Sequence, residues 1–282
     1  MKKNIYLVII TIVTILLILF GVIWNLGPLF DISLPWDRTE RNGSDGEKNS
    51  QAVTQVWEES ELGECSSIRL SFDAVDVILE KGDQCSIRYS GKEKLLPTVK
   101  AENGNWIIEQ KTKNHLSFGI HDLHDNQLVI TLPEGMIPQS VEVRADAGDI
   151  NFRDAPLQQV KFETDAGDID LERVEIQDLE IDTDAGDIDI VDSNIVNVRI
   201  TADAGDLKMT GSSFTNLSGE LDAGDVHIKS PVALDDADLD LKVDLGDLRI
   251  NNQDHGNSYR HQGTSGIHLD MTVDMGDVKI SW

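Results

Sequence analysis

Cysteine is nearly absent from the chain, with two residues in 282. That excludes a disulfide-rich scaffold and a four-thiolate zinc site. Aromatic residues make up only 5%, and 24 basic residues face 51 acidic ones. The resulting net charge of -27 sets the chain against nucleic-acid backbones and anionic bilayer surfaces, both of which would repel it. No nucleic-acid partner is expected. Signatures of the common hydrolases and nucleotide binders are missing as well: there is no Gly-x-Ser-x-Gly, no His-Glu-x-x-His and no Gly-x-x-x-x-Gly-Lys. No catalytic residue stands out, and the chain reads as a non-enzyme. A hydrophobic fraction of 40% is nevertheless too high for general disorder.

What the chain does have begins at its start. After Lys2 and Lys3 no charge occurs through Phe30, and residues Ile5 to Trp24 read IYLVIITIVTILLILFGVIW. At helical rise such a stretch spans about 30 Å, the thickness of a hydrocarbon core. A secretory signal peptide would be shorter and would end at a small-x-small site, which is missing here. We expect one transmembrane helix within residues 1–30, with the lysines inside and the remainder extracytoplasmic. Residues 31–60 are polar and read as a linker lifting the rest from the membrane.

The main feature is a repeat. Asp-x-Gly-Asp recurs with glycines at Gly148, Gly167, Gly186, Gly205, Gly224, Gly246 and Gly276. Four successive spacings of 19 are followed by 22 and 30, and a fixed period of this size means stacked units. Counted from each glycine, apolar residues recur seven and five before it, and two and four after it. In the Gly186 unit these are Leu179, Ile181, Ile188 and Ile190. Alternation on both sides of the glycine is the mark of half-buried strands. A further column nine after it, Leu157, Ile176, Ile195 and Phe214, suggests a third, shorter side. Two-residue hairpins want glycine or asparagine first, whereas alanine comes first here, which suits a type II turn or a left-handed corner. A meander of hairpins is therefore less suitable than an all-β, single-stranded parallel β-solenoid with one coil of about 19 residues per repeat.

A degenerate copy, Asp73-Ala74-Val75-Asp76, carries valine where glycine belongs. Valine does not enter the left-handed region cheaply, so that corner must differ. Residues 61–135 thus read as an irregular β cap, and residues 136–282 as the solenoid proper. Residues 251–266 read as a polar loop between the last two coils.

The anchor, the strand Leu128 to Pro133 (LVITLP) and the serial strand-Gly-Asp-Ile-strand coils together resemble the bacterial putative-adhesin family of β-strand-repeat proteins of unknown function. The acidic, anchored form is similar to LiaG-type proteins encoded with cell-envelope-stress systems of Gram-positive bacteria. The resemblance covers roughly residues 62 to 282. It implies a surface-exposed β-solenoid with no established enzymatic activity and supplies no catalytic residues; the partner we expect is a cell-wall polymer or an envelope protein.

Two aspartate columns follow from the repeat. The leading one is Asp146, Asp165, Asp184, Asp203, Asp222, Asp244 and Asp274; the trailing one is Asp149, Asp168, Asp187, Asp206, Asp225, Asp247 and Asp277. At a rung spacing of about 4.8 Å, neighbouring carboxylates repel by about 0.9 kcal/mol in water and about 3.5 kcal/mol at an effective dielectric of 20. Three readings accommodate this. In the first, leading aspartates cap the glycine N–H as Asx turns. In the second, Asp146, Asp149, Asp165, Asp168, Asp184, Asp187, Asp203, Asp206, Asp222 and Asp225 hold Ca²⁺ or Mg²⁺ between the columns, making a cation-responsive wall-binding module. In the third, the columns form a bare negative face. The residues otherwise require no cofactor.

Cys65 and Cys85 lie ten residues either side of Val75, which permits a disulfide outside the membrane; two free thiols are the alternative. His115, His121 and His124 cluster loosely, and His255, His261 and His268 sit in or near the polar loop; all read as solvated. Lys208, Arg249 and Lys279 share one offset and Lys229 another, which reads as relief of carboxylate repulsion.

Overall fold

A computed structural model describes residues 52–110 and 126–282. Each repeat forms one coil of two strands. The Gly186 coil, for example, consists of Glu175–Ala185 and Ile188–Val191. Equivalent strands pair in parallel at a register of 19, as in Ile181↔Ile200 and Ile188↔Leu207. Stacking builds one sheet of 12 strands and another of 11. The four expected apolar columns point between them: Leu179, Ile181, Ile188 and Ile190 are each at most 2% exposed. Fully burying one such side chain is worth about 1.5–3 kcal/mol, so each coil contributes most of its cohesion through these positions.

Several details depart from the sequence reading. The column of Leu157, Ile176, Ile195 and Phe214 is buried but forms no third side. Each of these residues begins the same long strand that carries the columns before the glycine. After Ile176 two successive residues face outward before Leu179 turns in again, so alternation breaks and the strand bends there. A further inward column lies three residues before the glycine and is interrupted by polar members: Thr164 and Thr183 are buried between Ala145 and Ala202, and the Thr164 hydroxyl donates to that of Thr183 at 2.9 Å. The pairing is also not purely parallel, because antiparallel strands close both ends.

The order of coils departs as well. Along the stack the Gly224 coil is followed by the Gly276 coil, and the Gly246 coil lies outside both. The last coil, His268–Met275 with Val278–Ser281, is therefore inserted between its two predecessors in sequence. Side-chain volumes agree with this order. Gly219 interrupts an aliphatic column, and a Cβ there would meet the sulfur and terminal methyl of Met271, its cross-strand neighbour. Residues 251–266 are not merely a loop, since Gln253–Asp254 and Ser258–His261 fold back as short edge strands.

The other end repeats the device. The Val75 coil (Ser67–Phe72 and Asp76–Gly82) lies next to the Gly148 coil, and strands later in sequence stack outside it. This cap holds the large aromatics: Trp106 and Tyr89 are fully buried, and the Trp106 indole N–H donates to the Leu62 carbonyl at 3.1 Å. The expected linker ends sooner than residue 60. Ala52–Glu58 is a strand pairing antiparallel with Ser86–Lys92, and Glu59–Leu62 is one helical turn. Two residues of that strand, Val53 and Trp57, pack on the core. The expected transmembrane helix and the histidines His115, His121 and His124 lie outside the described residues. Among the described residues no helix is long and apolar enough to cross a membrane.

Candidate functional site

The corner between the two strands of each coil brings the two aspartate columns together. The corner glycines adopt φ from 124° at Gly148 to 154° at Gly224. This is well beyond the value near +80° of a type II turn, so of the two expected forms the type II turn is not made, and the chain bends at one glycine of positive φ. Glycine is needed for two reasons. An L side chain rarely adopts such a φ, and a Cβ built on Gly186 would overlap the carbonyl oxygen of Gly167 in the coil below. At the degenerate corner Val75 has a negative φ. There the Gln110 side-chain oxygen accepts the N–H groups of Asp73 and Ala74 at 3.2 Å, closing the last corner of the series.

The two columns do different things. In the trailing column, each carboxylate accepts the backbone N–H of the trailing aspartate one coil further on. The chain of bonds runs from Asp149 N–H to Asp76 at 3.1 Å, Asp168 to Asp149 at 3.0 Å, Asp187 to Asp168 at 2.9 Å and Asp206 to Asp187 at 2.9 Å. It continues with Asp225 to Asp206 at 2.7 Å, Asp277 to Asp225 at 2.8 Å and Asp247 to Asp277 at 3.0 Å. These bonds follow the spatial order of the coils, not their sequence order. A hydrogen bond to an ionised acceptor is stronger than a neutral one, which offsets the repulsion along the column. At Asp277 the Asp247 amide, aided by the Lys279 ammonium 3.2 Å away, holds the carboxyl below its ordinary range.

In the leading column Asp165, Asp184, Asp203 and Asp274 make no such staple, and Asp244 pairs with Lys242 at 2.6 Å. The glycine N–H, which an Asx turn would have capped, donates instead to an alanine carbonyl of the next coil, as from Gly186 to Ala204 at 3.1 Å. Asp146, Asp165, Asp184, Asp203, Asp222, Asp274 and Asp244 are all exposed and stand in that order along the stack. Beside them a hollow of about 290 Å³ is lined by Asp146, Glu163, Asp165, Asp182 and Asp184 together with Arg144. Among the described residues no three acidic, histidine or cysteine side chains converge as a metal cage requires.

The second corner of each coil escaped sequence reading. Asp154, Arg173 and Asp192 take φ of 54°, 52° and 48° there, and Gly211 takes 66°. Arginine is unusual in this region. Its guanidinium forks onto Asp154 one coil below at 2.7 and 3.0 Å and also contacts Glu172. Arg173 holds the Asp154 carboxyl below its usual range. The aspartates Asp154 and Asp192 and the glycine Gly211, all six residues after a corner glycine, were the available signal.

The broad face of the longer strands carries a shallow groove of about 610 Å³. Arg69, Glu142, Lys161, Glu180 and Arg199 follow one another along its floor with alternating sign, and Arg69–Glu142 and Lys161–Glu180 pair at 3.1 and 3.0 Å. Beside them Asn216 donates to Asn197, and Asn197 to Asp178, both at 2.7 Å. From Glu142 to Arg199 the alternation is written in the sequence at the 19-residue spacing, and the groove's three basic and three acidic side chains balance, while the corner beside it is acidic. On the opposite sheet the coil swap makes Lys208, His227, Lys279 and Arg249 consecutive. Lys279 and Arg249 pair with the trailing aspartates of their own coils, and Lys208 lies 3.3 Å from Asp189. Burial, then the neighbouring Asp189, pushes the Asp170 carboxyl up.

Cys65 and Cys85, expected as a candidate bridge, are two separate buried thiols in this structure. Burial, then the neighbouring Cys85, pushes Cys65 up to about 12, and burial, then Glu59, pushes Cys85 up to about 11, which disfavours both thiolates. Among the remaining histidines, His268 sits 2.8 Å from Asp238, and His255 packs edge-on against Tyr259.

Residues 65–281 match the family described as Toastrack DUF4097. The crystal structure of a putative adhesin from Bacteroides fragilis NCTC 9343 aligns with a TM-score of 0.54 at 11% identity, covering 82% of this chain and 97% of that one. A putative cell adhesion protein from Clostridium sporogenes ATCC 15579 aligns at 12% identity and TM-score 0.35, covering 82% and 98%. A putative lipid binding protein from Parabacteroides distasonis ATCC 8503 aligns at 11% identity and TM-score 0.38, covering 83% and 95%. At these scores only the Bacteroides structure bears on the fold. No curated protein matches the sequence.

Proposed function

Because the chain belongs to the Toastrack DUF4097 family, we propose that it is a non-enzymatic, adhesin-like module of the cell envelope. The N-terminal apolar segment tethers it to the membrane in the manner of the LiaG-type proteins, with the β-solenoid on the extracytoplasmic side and a link to envelope stress. The observation that carries this reading is the leading aspartate column. Its seven carboxylates are all exposed and stand one per coil, while their trailing counterparts are used to bind coil to coil. A linear array of anionic groups at fixed spacing suits a polymer or protein that presents amino groups in series.

The test is binding of the full chain in detergent to purified wall material and to a lysine-rich peptide, beside the triple variant Asp165→Asn, Asp184→Asn, Asp203→Asn. The reading expects at least tenfold weaker binding by the variant and a steep loss of binding with salt. Equal binding by both proteins would remove the leading column from the function. Repeating the assay with chelator and with added Ca²⁺ or Mg²⁺ separates the cation-dependent alternative. Direct recognition survives chelation, and a cation-bridged contact does not.

A further inference from the structure

The four outermost strands of the two sheets are not equally protected. Gln253–Asp254 has two residues, Ser258–His261 carries Arg260, and Thr98–Glu102 carries Lys100 and Glu102. Short length and edge charge are the usual guards against strand addition. Ala52–Glu58 (AVTQVWE) has neither. It is seven residues long, is uncharged through Trp57, and has a partner on one side only among the described residues. Val53 and Trp57 face the core but are only half-buried, and Val56 is 42% exposed.

We infer that this edge pairs antiparallel with the same strand of a second copy of the chain, about a two-fold axis at Gln55. The sequence of the strand is self-complementary in that register. Val53 lies opposite the second copy's Trp57, so the half-buried core residues of each strand cover one another. Thr54 lies opposite Val56, and Gln55 opposite its own copy. The single charge, Glu58, lands opposite Ala52, so no like charges meet. That matters in a chain of net charge -27, whose copies repel over most of their surface. The residues that precede the strand are unsuited to cover it. Positions 37–51 (DRTERNGSDGEKNSQ) contain no aliphatic or aromatic residue and two glycines. Pairing would continue the 12-stranded sheet across the axis.

The register makes a sharp test in the full chain in detergent. Directly opposed residues of an antiparallel pair have Cα atoms about 4.5–5.5 Å apart, within the range a disulfide spans. In the proposed register the two copies of Thr54 are offset along the strands, at about 8 Å, beyond that range. Under mild oxidation Gln55→Cys is expected to give a covalent dimer, and Thr54→Cys at least tenfold less. Wild type is expected to sediment at twice the 31.2 kDa chain mass after correction for detergent. Gln55→Lys, which places two ammonium groups together at the axis while leaving the exposed strand intact, is expected to sediment as a monomer. Monomeric wild type with no Gln55→Cys cross-link would overturn the inference and leave the edge to residues 1–51 or 111–125 of the same chain. A Gln55→Lys variant that stays dimeric, or equal cross-linking by both cysteine variants, would overturn it as well.

Discussion

Leading and trailing aspartates are the same residue, three positions apart, repeated in the same coils, yet their surroundings oppose them. Asp187 accepts the Asp206 amide and donates its own to Asp168. Asp184 stands exposed on the strand before the bend. The difference follows from the glycine between them. Past its bend the following residue's N–H points along the stack, where the neighbouring coil's carboxylate receives it. A column of like charges is therefore stable where each member is bound to a backbone dipole, and where that bond is missing, as at Asp184, the carboxylate stands exposed at the surface.

The comparison breaks most completely at the glycine. Gly186→Val demands an unfavourable φ and overlaps the Gly167 carbonyl, so we expect a loss of about 3 kcal/mol or more, read as a fall in thermal midpoint. A midpoint within two degrees of wild type would contradict the corner geometry. Removing one staple costs less. Asp187→Ala leaves the Asp206 N–H to water at an exposed corner, and a loss of about 1–2 kcal/mol is expected.

Acid sharpens the same contrast. The Asp277 carboxyl is held below its ordinary range, first by the Asp247 amide and then by Lys279. A depressed folded value stabilises above the unfolded carboxylate range and loses that contribution as pH falls through the folded value. The stability gap between wild type and Asp277→Asn should therefore narrow on acidification below the carboxylate range, and a gap independent of pH would refute the staple's electrostatic part. Asp170 has the opposite sign. Burial and Asp189 raise its pKa, so its charge opposes folding at neutral pH. Asp170→Asn, which keeps an acceptor for the Asn151 amide 3.2 Å away, should raise the midpoint by about one or two degrees at neutral pH and by less in acid.

Much of this fold was legible in the sequence because a stacked coil repeats its constraints. The 19-residue spacing, the aliphatic columns and the glycine corners each recur often enough to be read. What was missed lies where a constraint appears once or in disguise. Thr164 and Thr183 are inward but polar, and their burial depends on each other's hydroxyl. The coil swap shows in sequence only as spacings of 22 and 30. The first gives the chain room to climb past one level, and the second lets it return to fill that level. Gly219 opposite Met271 was the clearest local sign of it. The division of labour between the aspartate columns could not be read at all, since both columns have the same residue and the same period. Only the direction of a backbone N–H separates them. The strand Ala52–Glu58 was hidden by its position at the end of a polar stretch and by having only Val53 and Trp57 to bury.

The most direct test compares thermal midpoints of Asp187→Ala and Asp184→Ala in the full chain at neutral pH and low salt. With a staple lost in one and only repulsion relieved in the other, Asp187→Ala should fall by about 2–6 degrees, and Asp184→Ala should stay within about one degree of wild type or rise. Equal falls in both variants would contradict the assignment of one column to the fold and the other to the surface.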